Sequence, residues 1–197
     1  MDRAEYLRRI RRDIRFDATL HGVALSFVTT WGLFSPRAID EGTELLLRHI
    51  EVDAGDDCFD LGCGYGPIGL TLAALAPRGR TLMVDRDFVA VEYAARNAER
   101  NGIRNARAQL SNGFQHVDPA LRFDLVATNA PAKVGRELLM ILLDDAWQRL
   151  RPGGRIWIVS ITGLRRLFAR ELEASFGNYT KVKQGRRYTV AMAEKGS

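Results

Sequence analysis

Tyr6, Leu7, Ile10 and Ile14 recur at helical spacing, which predicts a short amphipathic helix over 3–14 with its arginines off the apolar stripe. The next stretch, "RFDATLHGVALSFVTT", alternates around His21-Gly22 and reads as two strands joined by a tight turn. Residues 43–50 are again helical. From there the pattern becomes strand-helix-strand. Strands are predicted at 57–61, 80–84, 106–110 and 123–128, with helices at 67–76, 87–101 and 135–150, the second of these closed by Gly102. A strand at 155–160 follows the turn "RPGG". A helix at 164–175 and a hairpin turning at Gly185 complete the chain.

Repeated crossovers of this kind imply an α/β fold. The expectation is a doubly wound, mostly parallel seven-stranded sheet of Rossmann-like type, with ligands at the carboxyl ends of its strands. It would carry a C-terminal antiparallel hairpin and an N-terminal helix-hairpin extension over 1–30. The 197 residues suit one such domain, 31–197 with its extension, and show no internal repeat or low-complexity linker.

The stretch "DLGCGYGPIGL", residues 60–70, raises the first chemical question. Gly64, Gly66 and Gly69 fit G-x-G-x-x-G, the dinucleotide fingerprint. Gly62, Gly64 and Gly66 instead form a denser loop directly behind Asp60. If the strand stops at Leu61, the fingerprint needs a glycine at 67, where Pro67 stands; proline suits the first turn of a helix better. Charge separates the frames independently. A pyrophosphate favours backbone N–H groups and a positive helix end, and a fixed carboxylate at Asp60 opposes it. A ligand carrying ammonium and sulfonium groups, such as S-adenosylmethionine, welcomes that carboxylate. Asp60, Gly62, Cys63, Gly64, Tyr65 and Gly66 are therefore candidate cofactor contacts.

Asp85 closes the second strand of this unit and is placed to accept ribose hydroxyls, with Arg86 beside it. A solvated helix cap is the plainer reading, although Asp87 could supply that cap. Asn112 falls where an adenine edge would lie, and Gly113 allows close approach; an ordinary Asn-Gly turn is equally open. Asn129, Ala130 and Pro131 follow the fourth strand on the same sheet edge.

The formal net charge is +5, and arginine greatly outnumbers lysine. Six arginines crowd the first fifteen residues, and Lys181, Lys183, Arg186 and Arg187 crowd the end. Both basic ends suit a polyanionic partner. The first residues lack the apolar core of a signal peptide, no run approaches bilayer length, and the expected location is cytoplasmic. Cys58 and Cys63 give neither metal spacing nor a disulfide framework and read as buried thiols.

"GLFSPRAIDEGTELLL", "DLGCGYGPIGL", "VDRD", "NAERNGI" and "TNAPAKVG" occur in order. Together they resemble the small methyltransferase domain of the ribosomal RNA guanine-amine methyltransferases, in its short stand-alone branch, over residues 14–193. The resemblance implies S-adenosylmethionine as cofactor, RNA as partner, and an exocyclic amine held at Asn129-Ala130-Pro131. There the Asn129 oxygen and the carbonyl of residue 130 would accept the amine hydrogens. It also implies that the segment from Gly32 to Ser35 forms part of the rim, so that Phe34, or Trp31, could stack on a base. Lys133, Arg186 and Arg187 would contact substrate. The family pattern is Asn-Pro-Pro followed by an aromatic or aliphatic residue, and Ala130 and Ala132 depart from it; the departure bears on the target more than on the reaction. A non-catalytic RNA-binding module and a protein glutamine methyltransferase remain alternatives. A nicotinamide-dependent oxidoreductase is disfavoured, because His21, His49 and His116 are scattered without lysine or tyrosine partners.

Overall fold

A computed structural model describes residues 2–131 and 135–196. Lys133 and Ala132, on which two expectations rest, lie outside the described residues. The predicted elements appear in the predicted order, with shifted ends. The N-terminal helix α1 is shorter than its apolar spacing suggests, covering Arg3–Ile10. Ile14 starts β1 instead (Ile14–Leu20), which pairs with β2 (Val23–Thr29) through a turn in which His21 and Gly22 both have positive φ. Helix α2 begins two residues earlier than predicted, at Glu41–His49, because Asp40 caps it.

The main sheet contains β3 (Cys58–Leu61), β4 (Thr81–Asp85), β5 (Ala106–Leu110), β6 (Phe123–Asn129), β7 (Leu150–Ile161), β8 (Thr180–Gln184) and β9 (Tyr188–Glu194). Their order is β5-β4-β3-β6-β7-β9-β8, with β9 antiparallel to both its neighbours and the remaining pairs parallel. Strand β7 is longer than predicted because the "RPGG" turn is absorbed into its start. The crossover helices are α3 (Pro67–Leu75), α4 (Phe88–Arg100), α5 (Arg136–Arg149) and α6 (Arg165–Phe176), the last entered through a short 3-10 turn.

The two-residue period of the strands sorts their side chains between two cores. Cys58, Leu125 and Ala127 face a layer containing α2, α3, α4 and the β1–β2 hairpin. Phe59, Val126 and Ile158 face α5 and α6. The hairpin is a separate two-stranded sheet, yet Leu20, Leu25, Phe27 and Val28 sit in the first core. The buried amide of Asn97, on α4, locks it there by hydrogen bonding both the N–H and the carbonyl of Val28, at 2.8 and 3.0 Å.

β3 is the third strand in this order, beside the central β6, and chain order reverses across it. Register sets Leu61 beside Val84 and Asp60 beside Ala127. Gly62 therefore emerges between the ends of β4 and β6, flanked by Asp85 and Asn129. This is the crevice where a doubly wound sheet binds ligands.

Candidate active site

β3 ends at Leu61, so the loop runs from Gly62 to Gly66 and Pro67 opens α3 as its first residue. Gly62, Gly64 and Gly66 all have positive φ (77°, 54° and 97°), a region that favours glycine. Gly69 is used differently. A Cβ there would lie 2.3 Å from Met83 and 2.9 Å from Asp60, so its bare backbone lets α3 close on the sheet. The dense loop and the third fingerprint glycine thus coexist, one for the turn and the other for packing.

The loop's N–H groups are largely engaged internally. Gly62 and Cys63 both donate to Val84 at 2.9 Å, Gly64 donates to the Asp85 carboxylate at 2.9 Å, and Gly66 donates to Cys63 at 2.9 Å. Those donors do not form the outward-facing cradle a pyrophosphate needs.

Asp60 lies beneath the loop with 0 % exposure. One oxygen accepts the Gly69 N–H at 2.7 Å; the other, Oδ1, is buried and has no partner among the described residues. Burial pushes the carboxyl up to about 7; the Gly69 N–H opposes that shift, and Asp85 adds to it. A buried acceptor lacking a donor suits an incoming cation. Open space adjoins the Cβ positions of Gly62 and Gly64, leaving room beside the same loop. These features fit a sulfonium ligand with an amino-acid tail.

Asp85 is partly exposed at the end of β4. Its second oxygen accepts the Asp87 N–H at 3.0 Å, while Asp87 itself caps α4 through Val89. The N-cap of α4 is thus Asp87, one position beyond Arg86. Arg86 and Asn112 are exposed nearby, and Gly113, with φ of 60°, would strike Leu142 if it carried a side chain.

Two side chains of the loop are buried. Tyr65 is only 2 % exposed and turns into the first core, edge-on to Phe16 and Phe27. Its hydroxyl reaches the carbonyls of Ser35 and Ala38 at 3.2 and 3.3 Å, and its own carbonyl accepts from Asn97 at 2.9 Å. Tyr65 thus anchors the rim rather than presenting a side chain to a ligand. Cys63 is buried with its thiol pushed well above its ordinary range by desolvation, so it also offers the loop backbone alone. Cys58 is buried as well, as expected.

The rim held by Tyr65 includes Trp31 and Phe34. Trp31 is covered by the Arg37 guanidinium, 4.4 Å from its ring centroid. Phe34 is 66 % exposed on this pinned loop.

Asn129 ends β6 beside the glycine loop, and Thr128 ties the two together by donating to Leu61 at 2.8 Å. The Asn129 amide donates to Asp40 at 2.9 Å and Thr43 at 3.0 Å. Its oxygen accepts no hydrogen bond among the described residues. Ala130 donates its N–H to Val159 at 2.9 Å, extending the β6–β7 pairing, and leaves Pro131 exposed.

The C-terminal hairpin turns at the same sheet edge. Arg186 is exposed; Arg187 pairs with Glu41 at 3.2 Å and lies over Tyr188. Asp40, Thr43 and Tyr188 form a polar cluster against Asn129 that sequence reasoning did not single out. Among the described residues no His, Cys, Asp and Glu cluster could hold a metal, and no helix is long and apolar enough to cross a membrane.

A family model described as the methyltransferase small domain matches residues 24–192. The chain belongs to the methyltransferase small domain family. The Bacillus subtilis uncharacterized protein YbxB is 34 % identical over 174 residues, covering 86 % of each chain. The ribosomal RNA small subunit methyltransferase C of Hahella chejuensis is 34 % identical over 140 residues, which cover 69 % of this chain and 40 % of that protein. Among solved structures, the T. thermophilus 16S rRNA N2-G methyltransferase RsmC, in complex with AdoMet and guanosine, superposes with a TM-score of 0.83. It is 30 % identical and covers 92 % of this chain and 50 % of its own. This methyltransferase small domain thus spans about half the length of the ribosomal RNA methyltransferases it matches. Its sheet is that of a class I methyltransferase, closed by the antiparallel strands β8 and β9.

Proposed function

We propose that this protein transfers a methyl group from S-adenosylmethionine to an exocyclic amine of a nucleobase, guanine N2, in ribosomal RNA. The observation that carries the reading is the Asn129 amide. Its N–H groups are bound to Asp40 and Thr43, which leaves its oxygen as the acceptor at the crevice. The names of the RNA methyltransferase relatives point to the same substrate class.

S-adenosylmethionine is the cofactor, and it supplies an electrophilic methyl group on a sulfonium whose departing part is a neutral thioether. Asp60 would hold its ammonium beneath the glycine loop, Asp85 its ribose hydroxyls, and Asn112 with Gly113 its adenine edge. Asn129 Oδ1 and the Ala130 carbonyl would accept the two hydrogens of the target amine and aim its lone pair at the methyl carbon. Both acceptors would stabilise the positive charge that develops on this nitrogen as it takes the methyl group, and its surplus proton would leave to water. No strong base is needed, because positioning and local charge supply the acceleration. Phe34 would stack on the target base, flipped out of any helix that contains it.

The arginines of α1 and the β8–β9 turn would bind phosphates. Helix α1 buries none of its residues, and Asp13 ties the following chain to Tyr93 at 2.5 Å and Arg96 at 3.0 Å. Arg187 has Glu41 as a surface partner, which a phosphate can displace at little cost. Lys133 would join them, and the setting would be the cytoplasm.

The test incubates the protein with labelled S-adenosylmethionine and ribosomal subunits from cells lacking it, then maps the label by nuclease digestion and mass spectrometry. N2-methylguanosine at a single position is the expected product. Label on a ribosomal protein, on another base, or nowhere in the RNA would overturn the reading.

A further inference from the structure

Asn129 is an amide whose two ends differ only in what they can donate or accept, and the site works only one way round. Its surroundings decide which. Asp40 lies at the N-terminus of α2, where its Oδ2 accepts the N–H groups of Gly42 at 2.8 Å and Thr43 at 3.2 Å. That much is ordinary capping. The same oxygen also accepts Asn129 Nδ2 at 2.9 Å, from a strand 89 residues away, and the other oxygen accepts the Tyr188 hydroxyl at 3.1 Å. Capping explains neither contact. Gly42 permits the arrangement, because a Cβ there would stand 2.8 Å from the Tyr188 ring and 2.9 Å from the carboxylate.

Thr43 Oγ1 accepts the second N–H of Asn129 at 3.0 Å. An ionised carboxylate has no hydrogen to give, so a reversed amide would set its oxygen against Asp40. We infer that Asp40, assisted by Thr43, is a positioning residue for methyl transfer: it locks the Asn129 amide with its oxygen toward the target amine. This rests on the role proposed above for Asn129. The carboxylate does two things at once. It excludes the flipped amide, and by a charge-assisted bond it draws the amide's electrons toward Oδ1, making that oxygen a stronger acceptor. A preorganised acceptor avoids reorganisation as charge develops on the amine nitrogen.

The lock also governs substitution at 129. Asn129→Asp retains an acceptor shape, but it places a second carboxylate within 2.9 Å of the first. The two charges would repel, and the new side chain would turn away or take up a proton.

A double-mutant cycle tests the inference, using wild type, Asp40→Ser, Asn129→Ala and the double variant. Turnover on ribosomal substrate is read beside cofactor affinity and melting temperature. Serine keeps a capping oxygen for α2 but is one bond shorter, which draws that oxygen back from Asn129, so the fold should persist while turnover drops tenfold or more with cofactor affinity unchanged. Once residue 129 is alanine the lock has nothing to hold, and Asp40→Ser should cost little further turnover. Costs that simply multiply would overturn the inference, as would an Asp40→Ser variant that loses melting temperature but keeps its turnover. A second readout needs no RNA. The carboxamide protons of Asn129 should be protected from solvent exchange in wild type and lose that protection in Asp40→Ala and, by less, in Thr43→Val. Protection that survives in Asp40→Ala sinks the lock whatever the substrate proves to be. Loss of protection without methyl transfer to RNA would instead leave the lock standing and remove the proposed function.

Discussion

Asp85 accepts the backbone N–H of Gly64 at 2.9 Å, so the carboxylate proposed to meet the ribose also shapes the loop that meets the rest of the cofactor. The Gly64 N–H and the cofactor's hydroxyls would share one side chain. This places Asp85 on two links of the chain from structure to function, and its substitutions should separate them.

Asp85→Ala should weaken S-adenosylmethionine binding by about 1.5–3 kcal/mol through loss of charge-assisted hydrogen bonds. It should also lower the melting temperature, because Gly64 and Asp87 lose their acceptor. Asp85→Asn keeps a neutral oxygen for Gly64 and should restore melting while recovering little affinity. Calorimetry and thermal melts on both variants check this; equal affinity for the Asp85→Asn variant and the native protein would remove the ribose role.

Asn129→Ala removes the proposed acceptor and leaves Asp60, Asp85 and the glycine loop in place. A lost transition-state hydrogen bond of ~2.7–4 kcal/mol corresponds to about 10²–10³ in turnover. Cofactor affinity should change far less. Single-turnover methyl transfer on the mapped RNA, beside calorimetry with S-adenosylhomocysteine, separates the two effects. Methyl transfer at native rate would make the turn architectural.

The strand-helix alternation was legible because each buried face carries its own period, and Gly66-Pro67 marked the start of α3. The positions of Asp60, one residue before the close of β3, and Asp85, the last residue of β4, were legible because glycines or a helix start follow each strand. The orientation of Tyr65 was not: the loop's backbone points its ring to Phe16 and Phe27, which only packing reveals. Asp40 had a readable capping signal ahead of α2, but nothing in spacing predicts its contact with Asn129. Ala130 shows the same limit. Restoring proline there suits the family pattern, yet it would delete the N–H that bonds Val159, at a cost of about 1 kcal/mol.

The basic ends should govern RNA affinity without touching the cofactor. Deleting residues 1–12 spares the Asp13 clasp with Tyr93 and Arg96, so the fold should hold. Each phosphate that the shortened chain no longer neutralises should flatten the salt dependence of single-stranded RNA binding by about 0.7 in logarithmic slope. Arg186→Ala with Arg187→Ala should act in the same direction. Filter binding across a salt series measures the slopes, and slopes equal to wild type in both variants would mean that these arginines only solvate the surface.

The buried Asp60 should make cofactor binding pH-dependent. Burial raises its carboxyl from 3.8 to about 7, so the native protein retains a proton that the unfolded chain has lost between those values. Stability from this group is fully present below 3.8 and falls as pH rises to about 7. Binding runs the other way. A cofactor ammonium beside Oδ1 favours the ionised carboxylate, so binding below about 7 must expel a proton. Affinity should rise as pH approaches 7 and level off above it. Calorimetry in two buffers of different ionisation enthalpy should detect the released proton on the acid side, and Asp60→Asn should abolish it. The same substitution should weaken binding most above 7, where the native carboxylate is charged. Proton release that persists unchanged in Asp60→Asn would assign the linkage to another group and leave the orphaned oxygen without its cation.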